Sequence, residues 1–375
     1  MSARRRICLV VASPMTARAF LAGHMEALAG LADVDLVADF SGGDGGAGLA
    51  CRRHSIGIRR KVSPLHDLAA LVGLVRLFHR ERYAVVHSVT PKAGLLALLA
   101  GWFAGVPRRV HIFTGQVWAT RRGAARWGLK AADRLMARLA TDLLADSPSQ
   151  RDFLVAEGVA PGGKLKVLGA GAICGVDAAR FRPDPETRRR VRDELGIPPD
   201  AIVFHFVGRL NRDKGVLDLA TAFAALPAPA WLLVVGPDEG MLRPEIERRL
   251  GPAAGRARFV GYTDRPEAYM AASDVLCLPS YREGFGMVVV EAAACGLPAV
   301  ASRIYGVTDA VEEGATGVLH PPGDAAELGR RMAELLADGG KRLEMGSAAR
   351  RRALDLFSRD AVTRAWLGFY GELLR

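Results

Sequence analysis

Four side chains in the second half of the sequence have the types and spacing to hold a diphosphate and a polyol together. The stretch Phe206-Val-Gly-Arg-Leu-Asn-Arg-Asp-Lys-Gly215 is an apolar run that stops at Gly208-Arg209 and reaches Lys214-Gly215 within one short loop. Arg209 offers a fork of N–H donors to phosphate oxygens, Lys214 adds a point charge, and Gly208 and Gly215 allow close backbone approach. Further along, Pro279-Ser-Tyr-Arg-Glu-Gly-Phe-Gly-Met-Val-Val-Val-Glu-Ala-Ala-Ala-Cys-Gly-Leu-Pro298 places Glu283 and Glu291 on either side of Gly284-Phe285-Gly286. The pattern predicts a helix that opens near Gly286 and stops at Gly296 and Pro298. Its first turn carries unpaired N–H groups at the positive end of the helix dipole, which suits a diphosphate. Glu291, about one turn in, is placed to accept from a pair of ribose hydroxyls, and Glu283 from sugar hydroxyls. Glu291 follows Val288-Val-Val290 and precedes three alanines, and an unpaired carboxylate in such surroundings is costly enough to call for a ligand or partner. No Asp-x-Asp pair stands where it would hold a divalent cation, so no metal is expected.

The elements that must position these groups are legible as an alternation. Residues 7–12, 34–38 and 83–87 read as strands and 17–30 and 65–80 as helices. A second series follows, with strands at 201–207, 231–235, 257–260, 275–278 and 299–301 and helices at 216–225, 265–272 and 287–295. Such alternation implies parallel sheets covered on both faces. The Gly- and Pro-rich stretches 169–177 and 181–185 mark a linker between the two series. A chain of 375 residues is long enough for two cores. The expected division is 1–180 and 181–358, with a last helix at about 359–375 able to pack back on the first domain. In open parallel sheets ligands collect beyond the carboxyl ends of the strands, where both motifs lie.

Composition narrows the class. The five cysteines are scattered singly with no C-x-x-C spacing, which argues against a disulfide framework or a zinc site and fits a reducing compartment. The basic start ahead of a short apolar run reads as a first strand rather than a signal peptide, and the longest apolar run, 93–106, is too short to span a bilayer. The net charge of +11 sits wholly in the first half, where residues 1–185 hold 26 Lys and Arg against 14 Asp and Glu. A basic half beside a neutral one suits an anionic partner such as nucleic acid, acidic lipid or a phosphorylated substrate.

The conjunction Gly-Arg-x4-Lys-Gly, then about 70 residues later Pro-Ser-x2-Glu-Gly-Phe-Gly-x4-Glu-Ala-x3-Gly-x-Pro, resembles glycosyltransferase family 4. The resemblance implies an α/β fold of two Rossmann-like domains facing a central cleft, the GT-B fold, and transfer with retention from a nucleotide sugar without a metal cofactor. It implies that Arg209 and Lys214 bind the donor diphosphate, that Glu291 binds ribose and that Glu283 contacts the transferred sugar, with Arg209, Lys214 and Glu283 as the catalytic set. Gly208, Gly284, Phe285, Gly286 and Met287 would line the donor through their backbone, and Val260-Gly-Tyr-Thr263 resembles the strand end that reads the base, which brings in Tyr262 and Thr263. The stretches His87-Ser-Val-Thr-Pro-Lys-Ala-Gly94, His111-Ile-Phe-Thr-Gly-Gln-Val-Trp-Ala-Thr-Arg-Arg-Gly123 and Asp146-Ser-Pro-Ser-Gln-Arg151 are similar to the bacterial branch that builds capsule, O-antigen or other lipid-linked glycans. Thr16, His87, Lys92, His111, Thr114 and Gly115 are the acceptor-side expectations, with Thr114 standing where many members carry a His. The implied partners are a nucleotide sugar, most simply a uridine diphosphate N-acetylhexosamine or hexose, and a glycan acceptor on a polyprenyl diphosphate carrier. The implied location is cytoplasmic, peripheral on the inner face of the plasma membrane.

One further feature supports such a carrier. Arg122, Arg126, Lys130, Arg134 and Arg138 recur every fourth residue along a predicted helix that also carries Trp127, Leu135, Met136 and Leu139. Like charges at this spacing repel unless an anion intervenes, and a basic amphipathic face suits an anionic membrane or a lipid diphosphate. The rival classes fit less well. A GT-B epimerase or phosphorylase does not usually carry both motifs. A dehydrogenase would need G-x-G-x-x-G after the first strand, where Ser13-Pro-Met-Thr-Ala-Arg18 stands, and a nucleic-acid binder would need a recognisable binding motif.

Overall fold

The computed structural model describes residues 4–42, 48–49, 51–59 and 63–375, so the first three residues of the basic start lie outside the described residues. The chain forms two compact units, Met1–Gly175 with Arg359–Arg375, and Val176–Ser358. The division falls at Gly175 because the Val176 N–H already donates to Phe357 O at 2.8 Å, and Arg180 pairs with Glu267.

The first unit opens with β1 (Arg6–Val10), α1 (Pro14–Phe20), α2 (Ala22–Leu28), β2 (Asp33–Ala38) and β3 (Arg52–Ser55). It continues through α3 (Pro64–Glu81), β4 (Val85–Ser88), α4 (Pro91–Phe103) and β5 (Arg108–Phe113). It closes with α5 (Gly123–Leu139), β6 (Asp142–Ala145), α6 (Pro148–Ala156) and β7 (Leu165–Val167). The second unit starts with α7 (Pro185–Leu195), β8 (Ile202–Val207), α8 (Val216–Ala224), β9 (Ala230–Val235) and α9 (Arg243–Leu250). Next come β10 (Ala257–Val260), α10 (Pro266–Ala271), β11 (Val275–Leu278), α11 (Met287–Ala294) and β12 (Ala299–Ser302). Then follow α12 (Val307–Ala310), β13 (Gly317–His320), α13 (Ala325–Ala337) and α14 (Gly339–Phe357). The last helix, α15 (Arg359–Leu373), returns to the first unit.

The stretch 17–30, expected as one helix, is two. Helix α1 starts on Pro14, with the Ser13 hydroxyl accepting from the Met15 N–H at 3.3 Å, and the chain re-enters a helix after Leu21. The break leaves Leu21, Met25 and Leu28 all in the core.

Both sheets are parallel throughout, with strand orders β3-β2-β1-β4-β5-β6-β7 and β10-β9-β8-β11-β12-β13. Apart from the polar edge strand β3, their strands are largely apolar on both faces because helices cover both. In the second unit Phe204, Phe206, Leu219, Phe223, Leu232, Leu328 and Met332 make one core, and full burial of such side chains stabilises by roughly 1.5–3 kcal/mol each. In the first, Trp366, Phe369, Tyr370 and Leu373 of α15 complete the core formed by β1, α2 and β2. Each sheet reverses its direction of growth once, between β1 and β4 and between β8 and β11. Such switch points open a crevice beyond the strand carboxyl ends.

Candidate functional site

The loops that leave β8 and β11, the two strands at the second switch point, are pressed together. Gly215, at φ 66°, sits so close that a Cβ there would lie 2.0 Å from Pro279 O, so this position accepts only glycine. Several long-range bonds fasten the pair. The Tyr281 N–H donates to Asp213 O at 2.9 Å, the Tyr281 hydroxyl to Asp218 Oδ2 at 2.6 Å, and Arg282 pairs with Asp213 at 3.2 Å. Lys214 Nζ donates to Glu283 Oε1 at 2.5 Å, and Ser280 Oγ donates to the same oxygen at 2.7 Å. A cation expected at a diphosphate and a carboxylate expected at a sugar are therefore in direct contact, although 69 residues apart in sequence.

Helix α11 starts beside them. Gly286, at φ 83°, turns the chain into the helix, and no side chain caps the first N–H groups. The Phe285 ring is buried against Phe357, with centroids 5.1 Å apart, so only the backbone of Phe285 is available to a ligand. Glu291 is partly buried, and its carboxylate makes no hydrogen bond or ion pair with the described residues. Desolvation pushes its carboxyl up to about 7; the charge of Arg180 pulls down and that of Glu267 pushes up. Arg209 follows Gly208 at the end of β8 and pairs with Glu239 at 2.9 Å. Beyond β10, Tyr262 is 73% exposed, and the Thr263 hydroxyl accepts from the Arg265 N–H at 3.0 Å. Gly208, Arg209, Lys214, Tyr262, Thr263, Glu283 and the start of α11 thus share one edge of one sheet. Asp213, Asp218, Tyr281, Arg282, Glu239, Arg180 and Glu267 went unread in the sequence. Asp213, Tyr281 and Arg282 stand inside the quoted motifs, whereas Arg180 had no local signal, since its partners lie more than 80 residues away.

In the first unit the acceptor-side expectations divide. Thr16 on α1 and Thr114 and Gly115 after β5 are partly exposed beyond strand carboxyl ends. Thr114 O accepts from Gln116 Nε2 at 2.6 Å and from Gln150 Nε2 at 2.8 Å. His87 and His111 are not available to a substrate. His87 is fully buried under α15, bonded to the Tyr370 hydroxyl at 2.7 Å and stacked on Trp366. His111 bonds to Ser88 Oγ at 2.8 Å and fills the notch left by Gly94, where a Cβ would stand 2.5 Å from its ring. His87 on β4 pairs in register with Val110, the residue before His111 on β5, so alternation turns the two imidazoles to opposite faces of the sheet. Lys92 is committed to Asp67 at 2.6 Å, tying the first turns of α4 and α3.

The basic face of α5 is divided between bonded and free cations. Arg126 and Lys130 both pair with Glu157, at 2.8 and 2.6 Å, and both lie over the Trp118 ring. Arg134 donates to Gly158 O at 2.9 Å. Three of the five cations therefore fasten α5 to the carboxyl end of α6, and Arg122 and Arg138 remain exposed without a partner among the described residues.

Comparison with known families bears directly on this arrangement. Residues 16–171 match the glycosyl transferase 4-like domain, and residues 187–352 match glycosyl transferases group 1. The chain belongs to the GT-B glycosyltransferases. This glycosyltransferase is 27% identical over 326 residues to the capsular polysaccharide biosynthesis glycosyltransferase CapM of Staphylococcus aureus, covering 86% of this chain and 85% of that one. It is 37% identical over 304 residues to the D-inositol 3-phosphate glycosyltransferase of Kribbella flavida, covering 76% of this chain but 65% of that one. In other curated relatives of that name the match spans about half their length, as in Salinispora arenicola at 48%. Among solved structures, Anabaena HepE in complex with UDP-glucose superposes with a TM-score of 0.81 at 21% identity, over 98% of this glycosyltransferase and 99% of that chain. Among the described residues, no helix is long and apolar enough to cross a membrane.

Proposed function

We propose that this glycosyltransferase moves a hexosyl or N-acetylhexosaminyl group from a uridine diphosphate sugar to a hydroxyl of a glycan acceptor carried on polyprenyl diphosphate, with retention and without a metal. The observation that carries the reading is the contact of Lys214 with Glu283 beside the uncapped start of α11, with the carboxylate of Glu291 left unpartnered on that helix. A diphosphate fits the N–H groups of α11 together with Arg209 and Lys214, while Glu291 accepts from two ribose hydroxyls and Glu283 from the sugar. As the bond from the anomeric carbon to the diphosphate oxygen breaks, negative charge grows on the leaving group, where Arg209, Lys214 and the start of α11 would stabilise it. The acceptor hydroxyl attacks from the face the diphosphate leaves and gives its proton to a departing phosphate oxygen. The uridine diphosphate choice is supported by the UDP-glucose bound to HepE, and a glycan acceptor by the likeness to CapM of capsular polysaccharide biosynthesis.

Peripheral membrane contact is part of the same reading. With three α5 cations bonded to the end of α6, the surface suited to lipid is the exposed Trp127, Leu129 and Leu135 with Arg122 and Arg138, and the outer apolar residues Leu65 and Leu68 of α3. Tryptophan and leucine beside cations suit the headgroup boundary of an anionic bilayer. Co-sedimentation with anionic vesicles is expected to fall for Trp127→Ala and stay unchanged for Arg126→Ala.

The deciding experiment is a panel of nucleotide sugars assayed for nucleoside diphosphate release with a polyprenyl-linked glycan, with D-inositol 3-phosphate, or with no acceptor, each with and without EDTA. Release that depends on the lipid-linked glycan and survives EDTA is expected. Release with D-inositol 3-phosphate alone would replace the acceptor, and loss in EDTA restored by magnesium would replace the metal-free chemistry.

A further inference from the structure

Resting on that reading of the donor site, the geometry points to Arg180 as a positioning residue for the nucleoside half of the donor. Arg180 follows the junction between the two units in sequence, and nothing in its neighbourhood, Ala179-Arg180-Phe181, announces a site. Its side chain runs over the Phe181 ring, 5.2 Å from guanidinium to centroid, which steers it away from its own segment. From there Nε donates to Glu267 Oε2 on α10 at 2.9 Å, and a terminal nitrogen donates to the carbonyl oxygen of Asp264.

The Asp264 carbonyl belongs to the loop after β10 that carries Tyr262 and Thr263. The loop is exposed, and its internal bonds are few: Gly261 O accepts from the Gly236 N–H at 3.1 Å, and Thr263 Oγ1 from the Arg265 N–H. A loop so lightly tied does not by itself present backbone groups to a flat base in one fixed orientation. Arg180 supplies a fixed point by fastening the loop to α10. Its positive charge also acts on Glu291, whose carboxylate has no partner of its own, against the opposing charge of Glu267. One guanidinium thus holds the loop that would read the base and favours the charged state of the carboxylate that would receive the ribose. It touches neither the diphosphate-binding pair nor the reacting atoms, so its effect is confined to the nucleoside.

This confinement makes the inference testable. Binding of uridine diphosphate and of inorganic diphosphate is measured by calorimetry on the full chain, for the wild type, Arg180→Ala and Arg180→Lys, with thermal melts alongside. Arg180→Ala is expected to weaken uridine diphosphate by about tenfold, the scale of losing a charge-assisted bond, and to leave inorganic diphosphate within about twofold. Arg180→Lys, which keeps the charge and one donor bond, should fall between the two. Equal weakening of both ligands would overturn the inference, since it would mark a general disturbance of the site. Unchanged binding of both would overturn it as well. A wild-type chain that binds inorganic diphosphate but none of the uridine, guanosine, adenosine or thymidine diphosphates would instead defeat the donor reading on which the inference stands.

Discussion

Glu291 is the side chain whose environment most constrains its chemistry. Burial lifts its carboxyl to about 7, so near neutral pH it is split between acid and carboxylate. In the proposed donor complex two ribose hydroxyls donate to the charged form, so a bound ligand would compete with the proton. Affinity for uridine diphosphate should weaken several-fold as pH falls from 8 to 6, while Glu291→Gln should bind weakly at both pH values and lose the slope; a wild-type profile flat over this range would contradict the assignment. In the proposed reaction Arg209 and Lys214 act on the leaving group instead. Either alanine variant should lower kcat by about a hundredfold, as loss of a preorganised charge-stabilising group does, in steady-state assays of diphosphate release. Lys214→Ala should fold normally, because Glu283 keeps its bond from Ser280.

At the scale of elements, the site depends on two loops held at a distance that only glycine permits. Gly215→Ala would drive a Cβ into Pro279 O and also strain a residue at positive φ. The expected cost is on the order of 1–3 kcal/mol or more, read as a lower urea midpoint, and the separation of Lys214 from Glu283 should lower turnover as well. Helix α5 shows why a regular charge pattern is weak evidence for a ligand. Its cations recur every fourth residue, yet Glu157 and the carbonyls at the end of α6 answer three of them. Glu157 is a single carboxylate shared by Arg126 and Lys130, so the anion between these two cations comes from the same unit.

At the scale of the molecule, the chain ends by completing the unit it began. Trp366 on α15 is stacked between His24 and His87, with centroids 4.2 and 5.1 Å away. Burial holds these imidazoles at about 4 and about 3, well below 6.5. Between pH 6.5 and 4 the unfolded chain takes up protons that the folded unit refuses, so the stability they lend falls as pH drops through this window. Asp146, raised by burial to about 8, and Asp133, to about 6, act in the opposite sense, because the folded unit holds their protons. The clean readout is therefore a difference: His24→Gln should be destabilised at pH 7, and its gap to the wild type in urea melts should narrow by roughly 2 kcal/mol by pH 4.5. A gap that stays constant would show that His24 titrates normally in the folded unit.

What the sequence alone determined was the α/β class, nearly every strand and helix around the donor motifs, and the four side chains of the candidate site. These are properties of short stretches: apolar runs, Gly turns and charged residues at fixed spacing carry their meaning within about twenty residues. Only the tertiary structure decided that His87 and His111 are core residues, that Lys92 belongs to Asp67, that three of the α5 cations are bonded to the end of α6 and that Arg180 reaches the loop after β10. Each of those outcomes depends on which distant partner arrives at a given surface. Strand order and helix packing bring such partners together, and no local pattern encodes them.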